Sequence, residues 1–237
     1  MRIVSWFSCG VTSTVSTILT LEKYKDIVIV YCETGSEHPD NERYIKDCEK
    51  LFEQKIIKIK NPKFKNIYDV WDYTGYIENP YGAKCTLELK KKPRLEFQDK
   101  ENDLQIFGYI NDEPKRIKKF LNNNKDINIE LPLVDNNISK DDCFKKIKDL
   151  DIVLPMMYRL GYRNNNCIGC VKGAKGYWNK IRKDFPDIFE KTAQYEEAYG
   201  TKLLNVTENY KVRRITLREL DKDRGWYHGI DIEDLYK

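Results

Sequence analysis

Ile3-Val4-Ser5-Trp6-Phe7-Ser8-Cys9-Gly10-Val11-Thr12-Ser13 is the stretch that decides the fold. Its first half is rich in residues that suit a pleated surface, so Arg2 to Phe7 reads as a strand. Its second half is small and hydroxylated. It runs into Val15, Ile18, Leu19 and Glu22, whose spacing predicts a half-buried helix over residues 12–23. Outward from there, residues 26–32 form a continuous apolar strand of the kind buried inside parallel sheets. Tyr44, Ile45, Cys48, Leu51 and Phe52 share one face of a helix over 40–54, and a third strand over 55–59 completes βαβαβ. Residues 104–109 add a strand, and a lysine-rich helix begins near Asp112. Ser139-Lys140-Asp141-Asp142 has the form of a capping box for a helix carrying Cys143, Phe144, Ile147 and Leu150. The alternation predicts an α/β fold with a doubly wound parallel sheet, placed in residues 1–173. Two helices over 177–185 and 186–199, then a short antiparallel hairpin over 203–207 and 210–216, form a C-terminal helical and hairpin extension, 174–237.

With 237 residues, 41% hydrophobic and 12% aromatic, the chain can bury a full core and is unlike a disordered one. No apolar run approaches the roughly 18 residues needed to cross a bilayer. Met1-Arg2-Ile3 leads into a strand and not a signal peptide, so a cytoplasmic protein without a membrane partner is expected. The net charge of +4, from 42 basic and 38 acidic residues, is too balanced to imply nucleic-acid binding by itself. Lys90-Lys91-Lys92-Pro93-Arg94, Lys115-Arg116 with Lys118-Lys119, and Arg213-Arg214 are either a basic surface for phosphates or solvated faces.

In an open parallel sheet, ligands bind beyond the carboxyl ends of the strands, and the first strand-to-helix turn is the usual phosphate seat. Backbone N–H groups at the helix start point at the anion, and the helix dipole favours its charge. Ser8, Cys9, Gly10, Val11, Thr12 and Ser13 are the candidate loop, since small residues let the backbone approach and hydroxyls add donors. The spacing is neither GxGxxG nor GxxxxGK[ST], which argues against a dinucleotide site and a Walker loop.

The loop resembles the S-G-G-x-D/T-S loop of the PP-loop ATP pyrophosphatases, with Cys9 at a glycine position. Further segments resemble the phosphoadenosine phosphosulfate (PAPS) reductase-like family in order over roughly residues 1–175. Glu33-Thr34-Gly35-Ser36-Glu37-His38-Pro39-Asp40 is similar to its D-T-G-x-x-x-P-E/D segment, and Cys85-Thr86-Leu87-Glu88-Leu89-Lys90 with Pro93 to its C-T-x-x-L-K-x-x-P segment. Gly108-Tyr109-Ile110-Asn111-Asp112-Glu113 with Arg116 looks like G-x-R-x-D-E/S-x-x-R, with Ile110 where an arginine is common. Tyr158-Arg159-Leu160-Gly161-Tyr162 leading to Cys167-Ile168-Gly169-Cys170 resembles Y-x-x-G-F…C-x-x-C. The resemblance implies a Rossmann-like sheet of the adenine nucleotide alpha hydrolase type, with ATP or a related adenine nucleotide and Mg²⁺ as cofactors. It places the nucleotide on the loop, Glu33, Thr34 and Gly108. Lys90 and Arg116 would neutralise developing charge, and Glu33 or Asp40 would orient Mg²⁺ or the ribose; Asp40 is alternatively only the cap of the next helix.

Seven cysteines give an odd count, and in a reducing compartment Cys167-Ile168-Gly169-Cys170 reads as metal binding or redox chemistry before it reads as a disulfide. The resemblance adds Cys85 as a third ligand with Cys167 and Cys170, for a [4Fe-4S] cluster or, less favoured, Zn²⁺. Cys143 is a weaker fourth, because its helical spacing favours packing. With only His38 and His228 present, a Cys2His2 zinc site would need two distant histidines. Cys32 and Cys48 look like core residues.

Sulfonucleotide reductases use a cysteine in a C-terminal tail, and no cysteine follows Cys170 in this sequence, so reduction by that route is disfavoured. The expected chemistry is that of the adenylating PP-loop transferases: an acceptor oxygen attacks the α-phosphate of ATP and pyrophosphate leaves. In thiolating relatives sulfur from a donor protein then displaces AMP, so tRNA or DNA is a candidate acceptor. Tyr158-Arg159, Tyr162-Arg163 and Tyr177-Trp178 would stack bases or else be core aromatics with snorkelling arginines. The alternatives are a non-catalytic nucleotide-binding subunit or sensor, and a reductase lacking the usual tail. A homo-oligomer is left open.

Overall fold

β1 (Arg2–Phe7), α1 (Val11–Lys23), β2 (Ile27–Cys32), α2 (Asn41–Leu51) and β3 (Ile56–Ile59) open the chain as βαβαβ. The computed structural model describes residues 1–79, 82–208, 210–223, 225, 227, 229 and 230. His228, one of the two histidines weighed for zinc, lies outside the described residues. After β3 come α3 (Ile67–Thr74), a small antiparallel pair β4 (Glu78–Asn79) and β5 (Gly82–Ala83), and a helical segment. That segment is α4 (Lys84–Thr86), a π-helical turn (Leu87–Lys91) and α5 (Lys92–Phe97). Pro93 has no N–H, and its ring would meet a carbonyl one turn back, which the wider turn before it relieves.

β6 (Asp103–Ile106), α6 (Pro114–Asn122), β7 (Asn128–Glu130), α7 (Pro132–Asp135), α8 (Lys140–Asp149) and α9 (Met156–Arg159) complete the α/β part. All pairings in the main sheet are parallel, and the strand order is β3-β2-β1-β6-β7. The chain leaves β1 for one side of the sheet and later returns to its other side at β6. The topological switch point therefore lies between β1 and β6, and a crevice opens at their carboxyl ends.

α1 is buried nearly all round, although its sequence reads as amphipathic. Ser13, Thr14, Ser16, Thr17 and Thr20 are all buried. Thr14, Thr17 and Thr20 donate to the carbonyls of Gly10, Ser13 and Ser16 at 3.0, 2.9 and 2.7 Å. Thr17 also meets Ser5 of β1 at 2.8 Å, and Thr14 meets Tyr44 of α2 at 2.9 Å, so the threonine hydroxyls are buried with partners, while the Ser16 hydroxyl is buried with no hydrogen-bond partner among the described residues. Phe7, Ile29, Tyr44, Ile45 and Phe52 fill one face of the sheet, while Val11, Val15, Cys143, Phe144 and Ile147 join α1 to α8.

The expected strand over 104–109 ends at Ile106, because after the Phe107 N–H reaches the Glu130 carbonyl at 3.2 Å the chain turns away to pass the start of α1. β7 was not anticipated, being three residues long and polar at both ends. The C-terminal elements are α10 (Lys175–Asp184), α11 (Pro186–Ala198) and the antiparallel pair β8 (Leu204–Glu208) and β9 (Lys211–Ile215). They share one apolar cluster with α3 and the CxxC segment, including Trp71, Met157, Val171, Trp178 and Leu217, so residue 173 does not divide two separate cores.

Glu196 of α11 is 1% exposed and accepts the N–H groups of Leu203 at 2.8 Å and Leu217 at 2.6 Å, one at each end of the hairpin. Burial raises its carboxyl above the ordinary range, opposed by those two hydrogen bonds. Glu196→Ala leaves both N–H groups without an acceptor and is expected to lower stability by about 2–4 kcal/mol. Urea unfolding of the two proteins measures it, with Glu196→Gln expected to lose less.

Candidate functional site

The turn from β1 to α1 is built around one side chain. Ser13 Oγ accepts from the Ser8 N–H at 3.0 Å, the Gly10 N–H at 3.3 Å and the Ser8 hydroxyl at 3.1 Å, and it donates to the Gly10 carbonyl at 2.9 Å. Cys9 has φ 57°, in the left-handed region that costs a non-glycine residue about 1 kcal/mol or more. This explains why glycine suits the position. The Cys9 side chain is fully buried against Phe7, Tyr31 and Tyr44, so it points away from the loop's open side. Burial holds its thiol well above the usual range.

Three residues from outside the turn hold it in place. Tyr158 Oη accepts the Val11 N–H at 3.3 Å, at the first turn of α1. Asn165 Nδ2 donates to the Cys9 carbonyl at 2.8 Å and to Asn41 Oδ1 at 2.9 Å, bridging the loop to α2. Gly108, just beyond β6, passes so close to α1 that a Cβ there would lie 2.9 Å from the Ser13 N and Cα and from the Thr12 carbonyl. Its glycine is required by that approach.

Beside this turn, at the end of β2, Glu37 receives the N–H groups of Thr34 at 2.9 Å and Ser36 at 3.1 Å. Thr34 Oγ1 lies 3.1 Å from Cys167 Sγ, and the Ser36 carbonyl accepts the Ile168 N–H at 2.9 Å, so the CxxC segment is fastened to the β2 end. Glu33 is half-buried and makes no ion pair among the described residues.

The fields of Cys32, Cys167, Cys170 and Glu37 converge on the Lys90 ammonium and raise its pKa against desolvation. By surface area Lys90 is an exposed residue, and its charge acts on the neighbouring thiols. Burial pushes Cys167 up to about 11 and raises Cys85 as well, with Lys90 opposing in both. Cys85, Cys167 and Cys170 thus share a neighbourhood, but no group of three His, Cys, Asp or Glu side chains among the described residues is arranged to hold a metal ion. Cys143 is fully buried between α1 and α8, as its spacing implied, whereas Cys32 is only half-buried, its Sγ 3.8 Å from the Lys90 carbonyl.

Asp40 is spoken for. Arg43 Nε and a terminal nitrogen reach its two oxygens at 2.8 and 2.9 Å, the Met156 N–H donates at 2.8 Å, and Arg159 stands at 3.5 Å. It makes no side-chain cap to α2, so the capping alternative fails as well. The Arg43 hydrogen bonds lead in holding its carboxyl down to about 2. A carboxyl depressed in the fold stabilises it above the unfolded value near 4 and stops doing so as pH falls toward 2. Asp40→Asn is therefore expected to lower stability by about 2 kcal/mol at neutral pH and by progressively less below pH 4, read from urea unfolding at several pH values.

Arg116 is exposed, paired with Glu113 at 2.5 Å and set over the Tyr109 ring at 4.9 Å. Ile110, at the position where relatives favour arginine, is buried with Val11, Val15 and Leu133, so it packs against α1 and does not reach an anion. Tyr158, Tyr162, Tyr177 and Trp178 are 2%, 1%, 8% and 0% exposed, which makes them core residues and removes the base-stacking platform read from the sequence. Tyr158 and Asn165 were not singled out as site residues. The Y-x-x-G-F resemblance marked Tyr158, but nothing in the Asn164-Asn165-Asn166 run pointed to Cys9.

A parallel sheet with a small-residue loop at its switch point and flanking helices defines a doubly wound α/β protein of the adenine nucleotide alpha hydrolase fold type. The chain belongs to the phosphoadenosine phosphosulfate reductase domain family, whose model matches residues 2–175. Two relatives from Methanocaldococcus jannaschii, the uncharacterized proteins MJ0973 and MJ0066, are 24% and 25% identical over 202 and 206 residues. The matches cover 82% and 83% of this chain but 47% and 42% of theirs, so the chain spans less than half the length of these relatives. The crystal structure of a PAPS reductase from Candida auris, in a phosphate complex, superposes with a TM-score of 0.51 at 12% identity, over 70% of this chain and 81% of that one. This likeness is one of fold. No helix among the described residues is long and apolar enough to cross a membrane.

Proposed function

We propose that the β1–α1 loop binds the phosphates of ATP or a related adenine nucleotide and that the crevice supports nucleotidyl transfer. An acceptor oxygen attacks the α-phosphate, the bond to the bridging oxygen breaks, pyrophosphate leaves and the acceptor carries AMP. The observation that carries the reading is the crowd of oxygens already gathered by the loop's donors. Ser13 Oγ takes the Ser8 and Gly10 N–H groups and Tyr158 Oη takes the Val11 N–H, as phosphate oxygens would at a helix N-terminus.

Such transfer needs positioning and charge neutralisation more than covalent chemistry, so backbone donors with cations suffice. Glu33 and Thr34 stand at the β2 end for the ribose or Mg²⁺, and Mg²⁺ when bound neutralises phosphate charge. Lys90 is the cation that most favours the Cys167 thiolate. Reduction of a sulfonucleotide by Cys167 is disfavoured by its thiol, raised to about 11, since the thiolate is the nucleophile. The test is release of pyrophosphate from ATP and Mg²⁺, with tRNA, DNA or no acceptor added. Acceptor-dependent release supports adenylation; binding without release supports a nucleotide-binding subunit; sulfite formed from PAPS supports reduction instead.

A further inference from the structure

Cys167-Ile168-Gly169-Cys170 folds as one tight turn, with Gly169 as its third residue at φ 73°. A β-turn brings its first and fourth Cα atoms within about 7 Å of each other. A disulfide spans Cα separations of about 4.4–6.8 Å, so the turn brings these two cysteines to the separation that a bond between them needs. Both are half-buried, free thiols.

The turn is held from two directions. Tyr177 Oη accepts the Cys170 N–H at 2.9 Å and donates to the Cys167 carbonyl at 3.2 Å, so one hydroxyl ties its two ends together. A Cβ at Gly169 would lie 2.7 Å from Ile188 Cγ2 and 3.6 Å from the Trp178 ring, so the middle of the turn rests directly on α10 and α11. Two reacting groups fixed side by side meet at a high effective concentration, which favours the closed disulfide over two separate thiols.

The same turn is fastened to the end of β2. Cys167 Sγ lies 3.1 Å from Thr34 Oγ1, and the Ser36 carbonyl accepts the Ile168 N–H at 2.9 Å. Thr34 is 2% exposed, so its hydroxyl depends on this contact in place of water. A disulfide sulfur has no hydrogen to give, and its new bond commits it to the other cysteine. Pairing of Cys167 therefore weakens its hold on Thr34.

We propose that Cys167 and Cys170 are a redox-active dithiol that exchanges with low-molecular-weight disulfides, and that its oxidation loosens the end of β2. One thiolate attacks a sulfur of oxidised glutathione and releases the first glutathione; the second displaces the other glutathione and closes the Cys167–Cys170 bond. The protein gives up two electrons and two protons, and the glutathione disulfide becomes two thiols. No nucleotide takes part, so the proposal stands apart from the nucleotide reading.

The experiment equilibrates the full, reduced chain in buffers of oxidised and reduced glutathione without ATP, traps free thiols by alkylation and maps the tryptic peptides by mass spectrometry. Both cysteines fall in the peptide 164–172. The expected result is that this peptide becomes lighter by two hydrogens and resists alkylation, reversibly, in wild type and in Cys85→Ala. Cys167→Ser and Cys170→Ser should stop at the mixed disulfide with glutathione. Tyr177→Phe, which unties the ends of the turn, should need a roughly fivefold more oxidising glutathione ratio for half-conversion, equivalent to one ordinary hydrogen bond. Amide exchange over residues 33–37 should be faster in oxidised than in reduced wild type. A bond from Cys170 to Cys85, or a 164–172 peptide that stays reduced at every ratio, overturns the dithiol. Exchange over 33–37 that is the same in both forms overturns the link to β2, and a Tyr177→Phe variant that oxidises as wild type does overturns the part given to the turn.

Discussion

Gly108→Val is expected to abolish ATP binding while leaving most of the sheet folded. A Cβ at Gly108 would sit 2.9 Å from the backbone of Ser13 and from the Thr12 carbonyl, and backbone at a helix start cannot swing aside as a flexible side chain can. Either α1 moves outward or the chain after β6 does. Movement of α1 breaks the hydrogen bonds that Ser13 Oγ collects from Ser8 and Gly10, and it separates Val11 from Tyr158. Overpacking of this kind costs about 1–3 kcal/mol, and here the cost falls on the β1–α1 turn. Calorimetry with ATP should show affinity reduced at least a hundredfold, with circular dichroism close to wild type. Retained affinity would mean that the close contact is not part of the seat.

Gly35→Ala is expected to have the largest effect on stability. Gly35 has φ +66°, and a Cβ there would fall 1.8 Å from the Lys65 carbonyl oxygen. Left-handed backbone in alanine costs about 1–2 kcal/mol, and relief of the clash adds about 1–3 kcal/mol. A total of about 3 kcal/mol or more is expected, read as a lowered urea midpoint. The damage should also reach the site. The neighbouring Ser36 holds both the Ile67 N–H, through its hydroxyl, and the Ile168 N–H, through its carbonyl. Faster alkylation of Cys167 in the variant would report that loosening.

Much of the α/β scaffold was legible because its signals are local. Continuous apolar runs mark β1 and β2, and Ser139 with Asp142 marks the start of α8, where the full capping box is present. The C-terminal helices and hairpin followed from Pro186 and from the alternation around residues 204–215. What the chain hides depends on contacts distant in sequence. β7 exists because Leu104, Gln105 and Ile106 offer it a ladder, and its own three residues carry no pattern. The burial of α1 depends on hydroxyls that meet Ser5 and Tyr44.

The site divides in the same way. The loop over residues 8–13 announced itself through small residues after a strand. Its support did not: Asn165 reaches Cys9 across 156 residues, and Tyr158 reaches Val11 across 147. Asp40 fitted the pattern of a metal-binding or capping carboxylate, yet the fold gives it Arg43, Arg159 and the Met156 N–H.

Binding at the β1–α1 loop is tested most directly by hydrogen exchange of the full chain with and without ATP and Mg²⁺, followed by peptide mass analysis. The expected result is saturable protection of residues 8–13, with the 158–166 segment protected alongside because Tyr158 and Asn165 fasten it to the loop. Unchanged exchange in residues 8–13 at saturating ATP, or protection confined to another face such as α6, would contradict it.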